Sequence, residues 1–293
     1  MPTYDVWRVD AFTTQAMAGN PAAIVMDADE LDAAIMLRIA REFNLSETAF
    51  VLSSSRADFR VRYFTPLLEM PMAGHPTIAT AHALRECGRI SPAAQNVTFE
   101  MPAGVISVAI GLDGAHVRYD MTQLEARFLQ TYPPDAIART LGLKSADLLS
   151  QPQTVSTGAP FLIVNVGSED ALARAAPDRA ALFKEGCDYM GVHVFARVRT
   201  GSYAFIARNF SPPGEILEDP ATGSACGAMA AYVRRHRLIE DASYTISQGS
   251  HVGRPGTVYV EAGGGPCALS PVRIGGHAVT IARGRLEVPI TRL

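Results

Sequence analysis

The pattern R-x-F-[ST]-P-x-x-E occurs twice in this chain, once at Arg62–Glu69 and again at Arg208–Glu215. The second copy begins 146 residues after the first (208 − 62), half the length of the 293-residue sequence. Each copy leads into a polar, glycine-containing loop and then into a small-residue apolar segment. The first loop is Ala73-Gly74-His75-Pro76-Thr77, followed by IATAHAL; the second is Asp219-Pro220-Ala221-Thr222-Gly223-Ser224, followed by ACGAMAAYV. Repetition on this scale calls for two copies of one folding unit. A loop-to-helix entry in each copy points to one site built between two related domains.

Hydrophobic periodicity fills in the units. Tyr4 to Val9 and Ala22 to Met26 read as strands, and Leu31, Ile35, Ile39 and Phe43 recur every four residues as one helix face. Phe59 to Phe64 alternates at period two, Ile78 to Cys87 reads as a helix ended by Gly88, and Val97 to Ile110 as two strands around Pro102-Ala103-Gly104. The second half echoes this order. Gly158-Ala159-Pro160 repeats Gly19-Asn20-Pro21, Val192 to Ala196 and Ser202 to Phe210 read as strands, and a helix extends to about Arg237. Further strands are expected near Tyr244, Val258 and Val279, a turn at Gly263-Gly264-Gly265-Pro266, and an inter-domain joint near Pro133-Pro134. The small-residue helices lack the polar face of a surface helix, so each is expected at the centre of its unit. The architecture is therefore α+β: two pseudo-symmetric domains, each a strand-rich, barrel-like sheet around a central apolar helix. The domains are expected at 1–125 and 126–293, with the last strand, about 282–293, able to return to the first.

Bulk properties exclude several classes. A net charge of −3, with no basic run, offers nothing to nucleic acid. No apolar stretch is long enough to span a membrane, and MPTYDVWRVD does not read as a secretory signal, so a cytoplasmic location is expected. Cys87, Cys187, Cys226 and Cys267 form no CxxC and are expected as reduced, mostly buried thiols. His75 and His82 lie seven apart with no third ligand in sight, so no metal is expected. Motifs for phosphate loops, dinucleotide folds, zinc proteases and serine hydrolases are absent.

The two loops hold residue types suited to chemistry. Helix N-termini attract carboxylates and phosphates, and Gly74 and Gly223 allow close backbone approach while Thr77, Thr222 and Ser224 add hydroxyls. Simple N-capping by Asp219 or Thr222 is the alternative. His75 and Asp219 occupy nearly corresponding places in the two loops and are suited to holding a substrate and relaying a proton. Glu47, in the apolar run Leu45–Leu52, is the best general acid/base if its neighbours desolvate it. The alternative is a strand glutamate turned to solvent, with Phe50 and Leu52 inward. Glu69 and Glu215 repeat, and so are read as framework partners of Arg62 and Arg208. An offset of 146 carries Glu47 onto His193.

Several segments together resemble the PhzF-like proteins, named for phenazine biosynthesis. They are Val9-Asp10-Ala11-Phe12-Thr13, Gly19-Asn20-Pro21, Leu45-Ser46-Glu47-Thr48-Ala49-Phe50, Arg62-x-Phe64-Thr65-Pro66 and Gly74-His75-Pro76-Thr77. Ser156-Thr157-Gly158, Glu218 to Ala225, Gln248-Gly249 and Gly253-Arg254-Pro255 complete the set in family order. The resemblance implies the diaminopimelate-epimerase-like fold, a homodimer, and a cofactor-independent isomerase that moves a proton on a small carboxylate, as in the family's dihydro-hydroxyanthranilate isomerisation. It implies Glu47 as acid/base, His75 and Asp219 as assisting residues, and Gly74, Gly223 and Ser224 as carboxylate-binding positions, with Asn20 and Ser46 as further substrate contacts. Related epimerases and racemases use two opposed cysteines at these loops. This chain has Ala73 before Gly-His and no cysteine from Asp219 to Ala225, which leaves single-base chemistry on Glu47. An epimerase- or lyase-like reaction on another small acid, or a binding protein that keeps the pocket without catalysis, are the alternatives.

Overall fold

The computed structural model describes residues 1–263 and 271–288. Cys267 and the turn expected at Gly264 to Pro266 lie outside these residues, as does the end of the expected last strand beyond 288. Along the first half run β1 (Thr3–Ala11), β2 (Asn20–Val25), α1 (Ala33–Phe43), β3 (Glu47–Leu52), β4 (Phe59–Phe64), β5 (Glu69–Met70), α2 (His75–Glu86), β6 (Asn96–Met101), β7 (Gly104–Asp113) and β8 (His116–Thr122). The second half holds β9 (Arg127–Thr131), α3 (Pro134–Thr140), β10 (Gln153–Ser156), β11 (Pro160–Val166), α4 (Glu169–Arg174), α5 (Arg179–Leu182), β12 (Val192–Arg197), β13 (Phe205–Phe210), β14 (Glu218–Asp219), α6 (Gly223–Arg235), β15 (Ser243–Gln248), β16 (Gly256–Glu261) and β17 (Arg273–Gly276). The chain closes with β18 (Ala278–Glu287), which pairs antiparallel with β1. Two compact units result: Met1–Met121 with Gly276–Leu293, and Thr122–Gly275.

Each unit wraps strands around one helix. In the first, α2 packs against β1, β2, β3 and β18; in the second, α6 packs against β10, β11, β12 and β16. Alanines make this burial possible, because a helix surrounded by sheet has no room for long side chains. Ala79, Ala81 and Ala83 on α2, and Ala225, Ala228, Ala230 and Ala231 on α6, are all buried. The outer helix α1 is amphipathic instead. Met36, Ile39 and Ala40 face the core, Asp32 caps the start by accepting from the Ile35 amide, and Asn44 ends it in a left-handed conformation.

Strand pairing fixes how the two units correspond. Thr48 opposes Phe64 across β3 and β4, as Val192 opposes Phe210 across β12 and β13. Phe64 opposes Glu69, as Phe210 opposes Glu218. Between Phe64 and Glu69 lie residues 65–68, whereas between Phe210 and Glu218 lie residues 211–217, so the second loop carries three more. The counterpart of Glu69 is therefore Glu218 and not Glu215. Arg62 holds Glu69 through Nε and Nη2 at 2.7 and 2.6 Å. Arg208 holds Glu218, through Nε at 3.1 Å and Nη2 at 2.7 Å, while its Nη1 donates to the carbonyls of Leu172, Ala173 and Ala175 at the end of α4. Each guanidinium also lies over the ring of its motif phenylalanine, Phe64 or Phe210.

The same registers correct two further correspondences. Ala22 lies beside Glu47 in the parallel pair of β2 and β3, and Leu162 lies beside Val192 in that of β11 and β12. Thr48 thus matches Val192, Ala49 matches His193, and Glu47 matches Gly191. Met70 matches Asp219, and five residues further on His75 matches Ser224. A constant offset fails here because the connecting loops differ in length while the strand ladders do not.

Candidate active site

In the first unit the site is assembled at the start of α2. Gly19 leads into it with φ +59; a Cβ there would stand 2.1 Å from the Ala11 carbonyl oxygen, so only glycine permits this turn. Asn20 follows as the first residue of β2, with no exposed surface, and its Nδ2 donates to His75 Nδ1 at 3.0 Å. His75 is the first residue of α2 and is 3% exposed. Glu47, the first residue of β3, places Oε2 3.4 Å from the same Nδ1. The Glu47 side chain is 13% exposed, so it is neither the solvent-facing strand glutamate of the alternative reading nor sealed in the core. Ser46 precedes it and is half-buried. Gly74 is the N-cap of α2.

Beneath this cluster, Tyr63 Oη lies 2.8 Å from Thr77 Oγ1, and Thr77 Oγ1 donates to the Ala73 carbonyl at 2.6 Å. The Thr77 hydroxyl, expected as a ligand donor, is thus spent inside the protein. Burial pushes the Tyr63 phenol well above its ordinary range, with a smaller contribution from the negative charge of Glu47.

The second unit holds its loop by different means. Asp219 Oδ2 accepts the Thr222 hydroxyl at 2.5 Å. Gln248 donates to the Asp219 carbonyl at 2.8 Å and to Thr222 Oγ1 at 3.0 Å, and accepts the Thr222 amide at 3.1 Å. The Thr222 side chain makes no cap to α6. Gly249 allows the arrangement: with φ +95, its Cβ would lie 2.4 Å from the Pro220 carbonyl oxygen. Gly223 and Ser224 begin α6 and are buried. Gln248 had no assigned role in the sequence; Gly249, which follows it, was the available signal.

Cys226 is not a nucleophile. Its sulfur lies 4.0 Å from His193 Nε2, but both residues are fully buried. Burial pushes the thiol far above its ordinary range and the His193 imidazole down to about 4, so both are neutral. Of the other cysteines, Cys87 is exposed and Cys187 half-buried, against the expectation of mostly buried thiols, because Cys87 sits at the C-cap of α2 where the helix leaves the sheet. His82 does not join His75; its Nε2 meets Thr280 Oγ1 at 3.2 Å. Among the described residues no three His, Cys, Asp or Glu side chains are grouped to hold a metal ion, and no helix is long and apolar enough to cross a membrane.

The candidate residues therefore fall into two groups: Asn20, Ser46, Glu47, Gly74 and His75 in the first unit, and Asp219, Gly223 and Ser224 in the second. Asn20, Glu47 and His75 are brought together directly.

Comparison with known proteins agrees with this frame. The profile of the family described as phenazine biosynthesis-like protein matches residues 9–284. An uncharacterised isomerase of Mesorhizobium japonicum is 36% identical, covering 98% of this chain and all of its own. The trans-2,3-dihydro-3-hydroxyanthranilate isomerase of Pseudomonas aeruginosa is 34% identical, covering 94% of this chain and 97% of its own. Among solved structures, a PhzF-family protein of Bacillus anthracis superposes with a TM-score of 0.86 at 32% identity, over 98% of this chain and all of that one. A hydroxyproline epimerase of Agrobacterium vitis, 14% identical, shares the fold at a TM-score of 0.63, over 98% of this chain and 91% of that one. With a duplicated α+β frame, a Glu–His–Asn cluster at one helix start and relatives of this kind over its whole length, the chain belongs to the phenazine biosynthesis-like (PhzF) family of isomerases.

Proposed function

We propose that this protein is a cofactor-independent isomerase that moves a proton between carbons of a small carboxylate, with Glu47 as its single acid/base. The observation that carries this reading is the placement of the Glu47 carboxylate 3.4 Å from His75 Nδ1, the atom to which Asn20 Nδ2 donates, at the start of a buried helix. A carboxylate fixed in this way takes a proton from carbon and returns it to another carbon of the same molecule, so no net oxidation or hydrolysis occurs. His75, held by Asn20 beside the Glu47 carboxylate, assists at the substrate, with Asn20 and Ser46 as further contacts. The substrate's negative charge is met by the amide at the start of α2, at Gly74. A thiol pair is not available for two-base racemisation: Cys226 is sealed in the core.

The relative from Pseudomonas aeruginosa supplies the first substrate to try, trans-2,3-dihydro-3-hydroxyanthranilate. Turnover in deuterium oxide by the wild type incorporates solvent deuterium at carbon, and Glu47→Gln lowers both turnover and incorporation by about 10²–10⁴-fold. Equal incorporation by Glu47→Gln removes the acid/base assignment. Conversion of the trans compound to its cis diastereomer without a double-bond shift favours an epimerase, and binding without exchange favours a non-catalytic pocket. The same reading carries a homodimer, checked by sedimentation velocity, and a cytoplasmic location, checked by cell fractionation.

A further inference from the structure

Tyr63, Thr77 and Ala73 form a hydrogen-bonded relay with a fixed direction. A carbonyl oxygen cannot donate, so the 2.6 Å contact between Thr77 Oγ1 and the Ala73 oxygen uses the one hydroxyl proton of Thr77. The 2.8 Å contact between Tyr63 Oη and Thr77 Oγ1 must then be donated by the phenol. All three residues are buried: Tyr63 and Thr77 have no exposed surface and Ala73 has 1%. The relay therefore runs from the Tyr63 O–H to the Thr77 hydroxyl, and from that hydroxyl to the Ala73 carbonyl. The high ionisation range of Tyr63 keeps the donor proton in place at all ordinary pH.

The sheet explains why Tyr63 reaches this point. Tyr63 opposes Ala49 on β3, and Glu47 lies two residues before Ala49, on the same face of that strand. Ala22 lies beside Glu47, and Asn20 two residues before Ala22, again on one face. Asn20, Glu47 and Tyr63 thus project from three neighbouring strands, separated by alanines that leave space for the start of α2. Asn20 and Glu47 meet His75, and Tyr63 meets Thr77.

The end of the relay matters because of peptide geometry. The Ala73 carbonyl and the Gly74 amide belong to one planar trans peptide and point in opposite directions. Holding the carbonyl toward Thr77 aims the Gly74 N–H the other way, out of the first turn. The second unit has no such relay: Asn209 stands where Tyr63 does and Cys226 where Thr77 does, and its loop is held by Gln248 and Asp219 instead.

We propose that Tyr63 is a positioning residue that, through Thr77 and the Ala73 carbonyl, aims the Gly74 amide at the carboxylate of the substrate. The inference rests on the isomerase reading above, in which Gly74 meets that carboxylate.

Anthranilate is the binding probe, with neutral anthranilamide as its uncharged control. In ¹⁵N-labelled protein the Gly74 amide is expected to shift on titration with anthranilate and not with anthranilamide. Tyr63→Phe and Thr77→Val are each expected to weaken anthranilate about tenfold and to reduce the Gly74 shift, as the loss of one buried hydrogen-bond link allows. Thr77→Ser, which restores the hydroxyl, is expected to bind as the wild type does, and this rescue separates positioning from general packing. Glu47→Gln is expected to retain anthranilate binding while losing deuterium exchange, so failure of the acid/base reading shows in exchange and failure of the relay shows in binding. Wild-type anthranilate affinity in both Tyr63→Phe and Thr77→Val, with Gly74 shifting as before, overturns the proposal. So does an anthranilate titration that leaves Gly74 unmoved in the wild type, or a Thr77→Ser variant that binds no better than Thr77→Val.

Discussion

The second copy of the sequence motif presents two glutamates, and mutation distinguishes their roles. Glu218 is 5% exposed at its side chain and grips Arg208, itself 11% exposed, in a buried bidentate pair. Removing one partner of a buried pair costs about 3–5 kcal/mol, because the other charge is left in the interior. After Glu218→Ala, Arg208 still donates to three carbonyls at the end of α4, which offsets part of that cost. The lower end, about 3 kcal/mol, is therefore expected. The equivalent Arg62–Glu69 pair is more open, at 17% and 31%, so Glu69→Ala costs only about 1 kcal/mol. Glu215, half-buried and displaced from the ladder by the longer loop, costs less than about 1 kcal/mol on Glu215→Ala.

Differential scanning calorimetry and urea titration read these differences. For a unit of 154 residues (122 to 275), a loss of 3 kcal/mol lowers Tm by roughly 6–12 °C. The three variants should rank Glu218→Ala well above Glu69→Ala, with Glu215→Ala smallest. Equal losses for Glu215→Ala and Glu218→Ala refute the register drawn from the strand pairing. Equal losses for Glu69→Ala and Glu218→Ala refute the argument from burial.

Two shorter predictions concern the second unit. Gly191→Ala would bring a Cβ to 2.9 Å from the Phe161 ring, so a loss of about 1–3 kcal/mol is expected in urea titration; an unchanged midpoint means the ring moves freely. His193 is held neutral, its pKa lowered from 6.5 to about 4 by burial, with a smaller opposing effect from Asn209. Between pH 6.5 and 4 the unfolded chain binds the extra proton, so this contribution is fully present above pH 6.5 and is lost as pH falls, by up to roughly 3 kcal/mol. The drop in urea midpoint from pH 7 to pH 4.5 should be smaller in His193→Leu than in the wild type; an equal drop assigns the acid sensitivity elsewhere.

The duplicated frame was readable because it rests on short-range chemistry. Strand alternation at Phe59–Phe64, the prolines after the motif phenylalanines and the alanine-rich helices are all local signals, and the structure contains each of them. Register was not readable, because it is set by ladders between distant strands. Three residues added to an exposed loop cost little there, yet they transfer the motif's last position from Glu215 to Glu218. The direction of Glu47 was open for a different reason. In β3, Thr48, Ala49, Phe50 and Val51 are all buried, so the strand is covered on both faces and alternation cannot separate them. The contact with His75 assigns Glu47 a direction.

Packing also accounts for the difference between the two units at Glu47 and its counterpart Gly191. In the first, Ala22 lies beside Glu47; in the second, Leu162 pairs with Val192, and the Phe161 ring just before it lies against Gly191. Volume is exchanged between neighbouring strands: a small residue leaves room for the carboxylate, and the Phe161 ring occupies the space that Gly191 leaves open. A side chain at 191 would meet that ring, so no single substitution places a second carboxylate there; Phe161 would have to shrink at the same time. The packing of the core, and not the loops, leaves room for a carboxylate at residue 47 and none at residue 191.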